Sequence, residues 1–317
     1  YDRTRFSTAV AIAEEGFPGW EGVTDVVIAS GDDRAAADPL AASGLCWAYD
    51  APMLLVSAAR TPDEVKAAVK QIVDANGPIT LRVVGGPVSV PDARIDEIKA
   101  HVGAANVSVD RIRRTGSRFD LAYSIAMRMR SVANADPEKT MPSVALVANG
   151  ADATKFFDAL ALSPISAHNG APILLVAHDT VPGATANALA ALDPATRIVG
   201  GGPMTVSDAV LAQLGATRWS GRTRYDTAIA IANGAVSQGW LSREAVGVAA
   251  VLPDALTGGA FIGLRGGVLV LTDGSSLTPA TRSWLISHKT DIKECYVFGG
   301  PNSVNPSVKT QIDNALK

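Results

Sequence analysis

Aromatic residues are scarce in this sequence, at 5% of 317 residues, and cysteine is scarcer still, with only Cys46 and Cys295. No CxxC pair occurs, which argues against a cysteine-ligated zinc site. Both cysteines read as small buried hydrophobic residues, and nothing in the sequence demands a disulfide between them. Neither charge dominates. A formal net charge of -3 excludes a general nucleic-acid binder, although local basic sites remain compatible with it. No apolar run reaches the length of a membrane span, so no membrane insertion is expected. No signal peptide is visible, but the sequence opens almost on its first repeated motif, so this says little about compartment. His101, His168, His178 and His288 share no register and no metal-ligand spacing. The five tryptophans form no recurrent sugar-stacking series. No Ser-His-Asp, Cys-His or metal motif stands out, so neither a catalytic residue nor a cofactor is assigned.

What is present is small, apolar and periodic. Hydrophobic residues make up 47% of the chain, with 29 glycines and 18 prolines, a mix that suits compact α/β units. The stretch from Arg222 to Ile231, RTRYDTAIAI, has two earlier counterparts. These are RTRFSTAVAI from Arg3 to Ile12 and TGSRFDLAYSI from Thr115 to Ile125. Aligning Arg5, Arg118 and Arg224 divides the chain into units of about 1–112, 113–219 and 220–317.

Each unit reads helix, strand, helix, strand, helix, strand, helix. In the first, Val23 to Ala29 is a β-branched strand, and the polar loop Ser30 to Arg34 follows it. Asp38-Pro39 reads as a helix cap and first turn, opening a helix through Trp47. Ala51 to Val56 is a short apolar strand, and Thr61-Pro-Asp-Glu64 is a strong helix start. Ile79 to Val84 leads into Gly85-Gly86-Pro87, and Val107 to Ile112 reads as a last short strand. The second unit repeats this order, with its polar loop at Asn149 to Asp152. In the third, Asp254 follows the strand Ala245 to Val251 almost at once. Apolar strands separated by helices imply βαβ crossovers and mostly parallel sheets covered on both faces. Each unit is small, so closure of the three around a pseudo-threefold axis is expected to add mutual burial.

Four motifs recur in the same order through nearly the whole chain. They are Arg-Tyr-Asp-Thr-Ala at Arg224, Asp-Ala-Leu at Asp158 and Asp254, Ala-Pro-Ile-Leu-Leu at Ala171, and Gly-Gly-Pro-x-x-Val in every unit. Together they resemble the cell wall binding repeat 2 family, whose modules occur in threes in clostridial and actinobacterial surface proteins. The resemblance implies a Rossmann-like or Toprim-like α/β fold for each module. It also implies non-covalent anchoring to an anionic secondary cell wall polymer of teichoic-acid-like or pyruvylated polysaccharide type. A secreted, cell-surface location and a separate effector domain follow as expectations. Ser7 replaces the acid of Asp120 and Asp226, Leu121 replaces the threonine of Thr8 and Thr227, and the third loop is short. The three sites are therefore not expected to be equally competent.

Candidate ligand residues follow from the repeats. Arg5, Arg118 and Arg224 carry guanidinium forks that match phosphate or carboxylate geometry. The alternative is structural pairing with Asp38, Asp158 or Asp254, whose spacing fits helix capping. Gly86, Gly202 and Gly300 permit tight turns and close ligand approach, or simply join strand to helix. Arg34 and Lys155 lie at the carboxyl ends of strands, where ligands of parallel sheets generally bind. The competing reading is an enzyme acting on a nucleotide, sugar or peptidoglycan fragment, which the scaffold permits.

Overall fold

The computed structural model describes residues 4–317, with the Arg34 side chain outside the described residues. The first module contains α1 (Arg5–Gly16), β1 (Asp25–Ser30), α2 (Ser43–Tyr49), β2 (Met53–Val56), α3 (Asp63–Asn76), β3 (Ile79–Val83), α4 (Asp92–Val102) and β4 (Val107–Arg111). The second contains α5 (Arg118–Ala135), β5 (Val144–Asn149), α6 (Phe156–Asn169), β6 (Ile173–Val176), α7 (Gly183–Leu192), β7 (Thr196–Gly200), α8 (Asp208–Leu214) and β8 (Thr217–Trp219). The third contains α9 (Arg224–Ser237), β9 (Ala245–Ala249), α10 (Leu252–Leu264), β10 (Val268–Leu271), α11 (Pro279–His288), β11 (Glu294–Phe298) and α12 (Pro306–Leu316).

Every strand pairing is parallel. The sheet orders are β2-β1-β3-β4, β6-β5-β7-β8 and β10-β9-β11. In each sheet the first strand is central, and the chain crosses to one side of it and then to the other. The carboxyl ends of the first and third strands therefore flank a topological switch point, where open α/β sheets leave a crevice. The loop carrying Asp38 leaves β1 and the Gly85-Gly86 turn leaves β3, so both reach that crevice. Their counterparts do the same in the other two modules.

A repeated capping box starts each module. Thr4, Ser117 and Thr223 accept from the backbone N–H groups of Ser7, Asp120 and Asp226, whose side chains accept in return from the cap backbone. Such reciprocal bonds satisfy two of the free N–H groups at a helix start. The serine at position 7 therefore replaces the acid without loss of the box. A different expectation fails nearby. Asp38 does not cap a helix running through Trp47: a 3-10 turn, Pro39–Ala41, comes first and makes no side-chain cap bond. Its backbone is already αR, so the carboxylate cannot fold back onto the free N–H groups as an extended cap residue does.

The modules meet through α2, α6 and α10, each of which packs against the other two. One continuous core joins them, with Leu40 and Leu45 from the first module, Leu160 and Leu162 from the second, and Leu256 and Ile262 from the third. Each such side chain contributes roughly 1.5–3 kcal/mol when fully buried. Small residues let the helices approach. A Cβ on Gly263 of α10 would lie 2.5 Å from the Pro164 carbonyl oxygen of α6, which is backbone and cannot give way. Pro164 has no N–H to offer Leu160, and the Ser163 hydroxyl donates to that carbonyl instead at 2.6 Å. This local substitution keeps a proline-containing helix at the centre of the protein. Cys46 is buried and Cys295 half-buried, and both are free. Burial pushes both thiols up to about 12, well out of the reactive range.

Candidate anion-binding clefts at the module junctions

The recurrent arginine and aspartate meet across junctions. Arg118 faces Asp38 of the preceding module, Arg224 faces Asp158, and Arg5 faces Asp254 of the third. None of these three pairs forms a direct ion pair among the described residues. Each arginine is held elsewhere. Arg5 donates to the Gly31 carbonyl at 2.6 Å and to Asp33 Oδ1 at 2.5 Å. Arg118 donates to the Gly150 carbonyl at 2.8 Å. Gly31 and Gly150 open the loops after β1 and β5, so these arginines brace their own module's first loop. The third loop is shorter, and Arg224 makes no equivalent bond among the described residues. Arg224 instead lies over the Phe157 ring of the second module, 4.3 Å from its centroid.

The aspartates sit inside the first turn rather than at a cap. Asp158 belongs to α6 and Asp254 to α10, where they are 6% and 2% exposed. Each stands beside a hydroxyl from the glycine turn. Ser89 donates to Asp38 Oδ2, while Thr205 lies beside Asp158 and Ser303 beside Asp254. Burial raises all three carboxyls above the usual range, against the opposing pull of these hydroxyls and of the arginines. Asp158 is pushed up to about 6. Asp254 Oδ2 is buried with no hydrogen-bond partner among the described residues.

The glycine turns have a steric cause. Gly85, Gly201 and Gly299 hold φ of 101°, 119° and 118°, a conformation that L side chains rarely adopt. A Cβ at these positions would lie 2.9, 2.7 and 2.5 Å from Oδ2 of Asp38, Asp158 and Asp254. The conformational requirement thus falls on the first glycine of each pair. Gly86 and Gly202 come second and approach the chain entering the next module: a Cβ there would meet the Arg114 carbonyl at 2.5 Å and the Gly221 carbonyl at 4.0 Å. Gly300 lines the cleft between the third and first modules. Lys155 is half-buried just before α6 and its charge acts on Asp158. Arg34 lies in the 3-10 turn Asp33–Ala35, with its side chain outside the described residues.

Two of these junctions open into cavities of about 600 Å³ each. Asp38, Ser89, Arg113, Arg114 and Arg118 line the one between the first and second modules. Arg5, Asp254, Gly300 and Ser303 line the one between the third and first. Sequence reading missed Ser89, Thr205 and Ser303, although a hydroxyl three residues after the second glycine of every turn was the available signal. It also missed Arg113 and Arg114, which do not recur. Among the described residues no group of three His, Cys, Asp or Glu side chains is placed to hold a metal ion. No helix among them is long and apolar enough to cross a membrane.

Three parallel α/β modules with recurrent junction residues define a class of repeat protein, and the sequence profile of the Cell wall binding domain 2 (CWB2) family matches residues 2–95, 115–211 and 218–309. The chain belongs to that family. It is similar to the N-acetylmuramoyl-L-alanine amidase LytC of Bacillus subtilis (strain 168), with 27% identity over 316 residues, spanning 99% of this chain and 56% of that protein. Its fold is similar to that of Cwp6 from Clostridium difficile, with a TM-score of 0.82 and 25% identity across 100% of this chain and 47% of that one. Cwp8 from Clostridium difficile gives a TM-score of 0.81 and 20% identity, across 99% of this chain and 51% of the other. The chain thus spans about half the length of these relatives.

Proposed function

We propose that this chain is a non-enzymatic anchor that holds a secreted protein on the bacterial cell surface by binding an anionic wall polymer in its junction clefts. Its modules span residues 1–112, 113–219 and 220–317 and close around a pseudo-threefold axis, with a separate effector domain in the full-length protein. The observation that carries the reading is the convergence of Arg113, Arg114 and Arg118 on one open cavity between modules. Guanidinium groups there meet phosphate or carboxylate groups in bidentate fashion, and a polymer strand crossing the junction satisfies several at once. The positive charge of Arg118 acts on the half-buried Asp38 and offsets its repulsion of such a ligand.

The test is retention on native cell walls against walls stripped of their anionic polymer, at low and high salt. Retention on native walls alone, falling as salt rises, is the expected outcome. Equal retention on both preparations sinks the assignment to an anionic polymer. The competing enzymatic reading predicts release of soluble fragments from walls during the same incubation.

A further inference from the structure

The first two sheets have a fourth strand, and among the described residues the third has three. That strand lies on the outer edge of the third strand, beneath the first helix of the next module. Asp110 of β4 is ion-paired with Arg128 of α5, and a second contact between the two groups measures 3.2 Å. Trp219 of β8 lies on α9 so closely that a Cβ on Gly234 would stand 2.6 Å from the indole. In the third sheet β11 pairs with β9 alone, and no strand among the described residues takes its other edge. Facing that edge is the equivalent face of α1. Counted from Arg5, Arg118 and Arg224, Ile12 and Glu15 correspond to Ile125 and Arg128 of α5, and to Ile231 and Gly234 of α9. Between α1, β11 and α12 runs a groove of about 510 Å³, lined by Ile12, Tyr296, Phe298, Val304 and Ile312 among others.

We propose that this groove seats a fourth strand, parallel to β11, formed by polypeptide joined to the amino end of α1. The internal repeats supply the argument. β4 ends six residues before the Ser117 cap, and β8 ends four residues before the Thr223 cap. In both cases the strand that fills this position is the stretch leading into the next module's first helix. Polypeptide leading into the Thr4 cap, in any longer chain where sequence precedes Tyr1, holds the same relation to α1. The free edge of β11 offers a row of N–H and C=O groups to such a strand, and the groove walls accept its alternate apolar side chains. Glu15 stands where Arg128 stands and lies 3.8 Å from Arg265, so an acid where β4 carries Asp110 meets a like charge there. Seating it links the third module to the first by backbone ladder bonds, as β4 and β8 link the other two junctions.

The experiment extends the 317-residue chain at its amino end with a copy of residues 107–113 carrying Asp110→Lys, which puts the strand end six residues before the Thr4 cap, and compares it with a Gly-Ser extension of equal length. Hydrogen exchange of the amides in residues 295–298 and the melting temperature are the readouts. The expected result is about tenfold slower exchange there and a higher melting temperature with the strand extension only. A third version carrying Val107→Pro and Val109→Pro is expected to behave like the Gly-Ser control. Equal exchange in all three overturns the proposal. So does protection of β11 in the Gly-Ser chain that appears only at concentrations where it dimerises, which assigns the edge to a second copy. Protection by a free peptide of residues 107–113 carrying Asp110→Lys, with no gain from covalent attachment, assigns the edge to a separate partner and overturns it as well.

Discussion

The cleft between the first and second modules and the cleft between the third and first share a plan and differ in charge. The former gathers Arg113, Arg114 and Arg118 around a half-buried Asp38 that already accepts from Ser89. The latter has Arg5, whose guanidinium is engaged by Asp33, beside an Asp254 oxygen that lacks a partner. Their rims differ too. Val88, at the turn of the first cleft, is 83% exposed, and its counterpart in the third turn is Asn302. One repeat therefore yields two environments, because side chains outside the recurrent motif set the balance of charge. In the first cleft Arg113 and Arg114 are engaged by Asp120 and Asp92, and Arg118 has no acidic partner among the described residues, while in the other Arg5 is already paired with Asp33 and a carboxyl oxygen lacks a donor.

The largest expected effect uses the middle junction to measure what a buried carboxyl costs. Asp158 titrates at about 6 when folded, above its ordinary value, so the folded state holds the proton more tightly than the unfolded state. Its charge therefore destabilises the fold at pH 7, and that penalty is relieved as pH falls through 6 toward 4. Between pH 7 and pH 4 the stability difference between wild type and Asp158→Asn is expected to shift toward wild type by about 2 kcal/mol. Denaturant melts across that range test it, and a constant difference contradicts the assignment.

Next in size are the glycine turns. Gly299→Ala and Gly85→Ala each force an unfavourable φ and a contact with the buried carboxyl, at a cost of roughly 1–3 kcal/mol. Gly299→Ala is expected to lower the melting temperature more, since its Cβ meets Asp254 at 2.5 Å and Ser303 at 2.8 Å, against 2.9 and 3.4 Å at Gly85. The reverse order breaks the comparison at its steric root.

Binding separates the clefts by charge. Arg118→Ala is expected to weaken wall retention about tenfold, in keeping with the loss of one charge-assisted contact. Arg5→Ala is expected to weaken it only about twofold, because Asp33 already screens that guanidinium. Equal losses in a salt-controlled retention assay show that the clefts are equivalent. The smallest effect concerns the hydroxyls. Ser89→Ala removes a hydrogen bond to Asp38 and is expected to cost about 1 kcal/mol, more than Ser303→Ala, since Ser303 leaves Asp254 Oδ2 without a hydrogen-bond partner.

The threefold frame was legible because Arg5, Arg118 and Arg224 recur at helix starts with apolar residues at helical spacing behind them. The parallel sheets followed from short apolar strands alternating with helices. Other features were hidden for physical reasons. Strand β8 has three residues, Thr217, Arg218 and Trp219, too few to show an alternation, and it exists because β7 and α9 hold it from either side. Asp38 reads locally as a cap before proline, yet burial against the glycine turn decides its role. That the arginines brace their own module's first loop while facing an aspartate of another module could not be read from spacing along the chain, since Arg5 and Asp254 lie far apart in the sequence.

That meeting of Arg5 with Asp254 changes a count. Three modules laid end to end possess two junctions, and any site built at a junction would occur twice. Bringing α1 against α10 makes a third without adding a residue. Under the proposed function this closure adds a second open cleft to the one between the first and second modules. A long ligand that reaches from one cleft to the other then rebinds at an effective concentration set by their fixed separation, so modest affinity at each compounds into slow release.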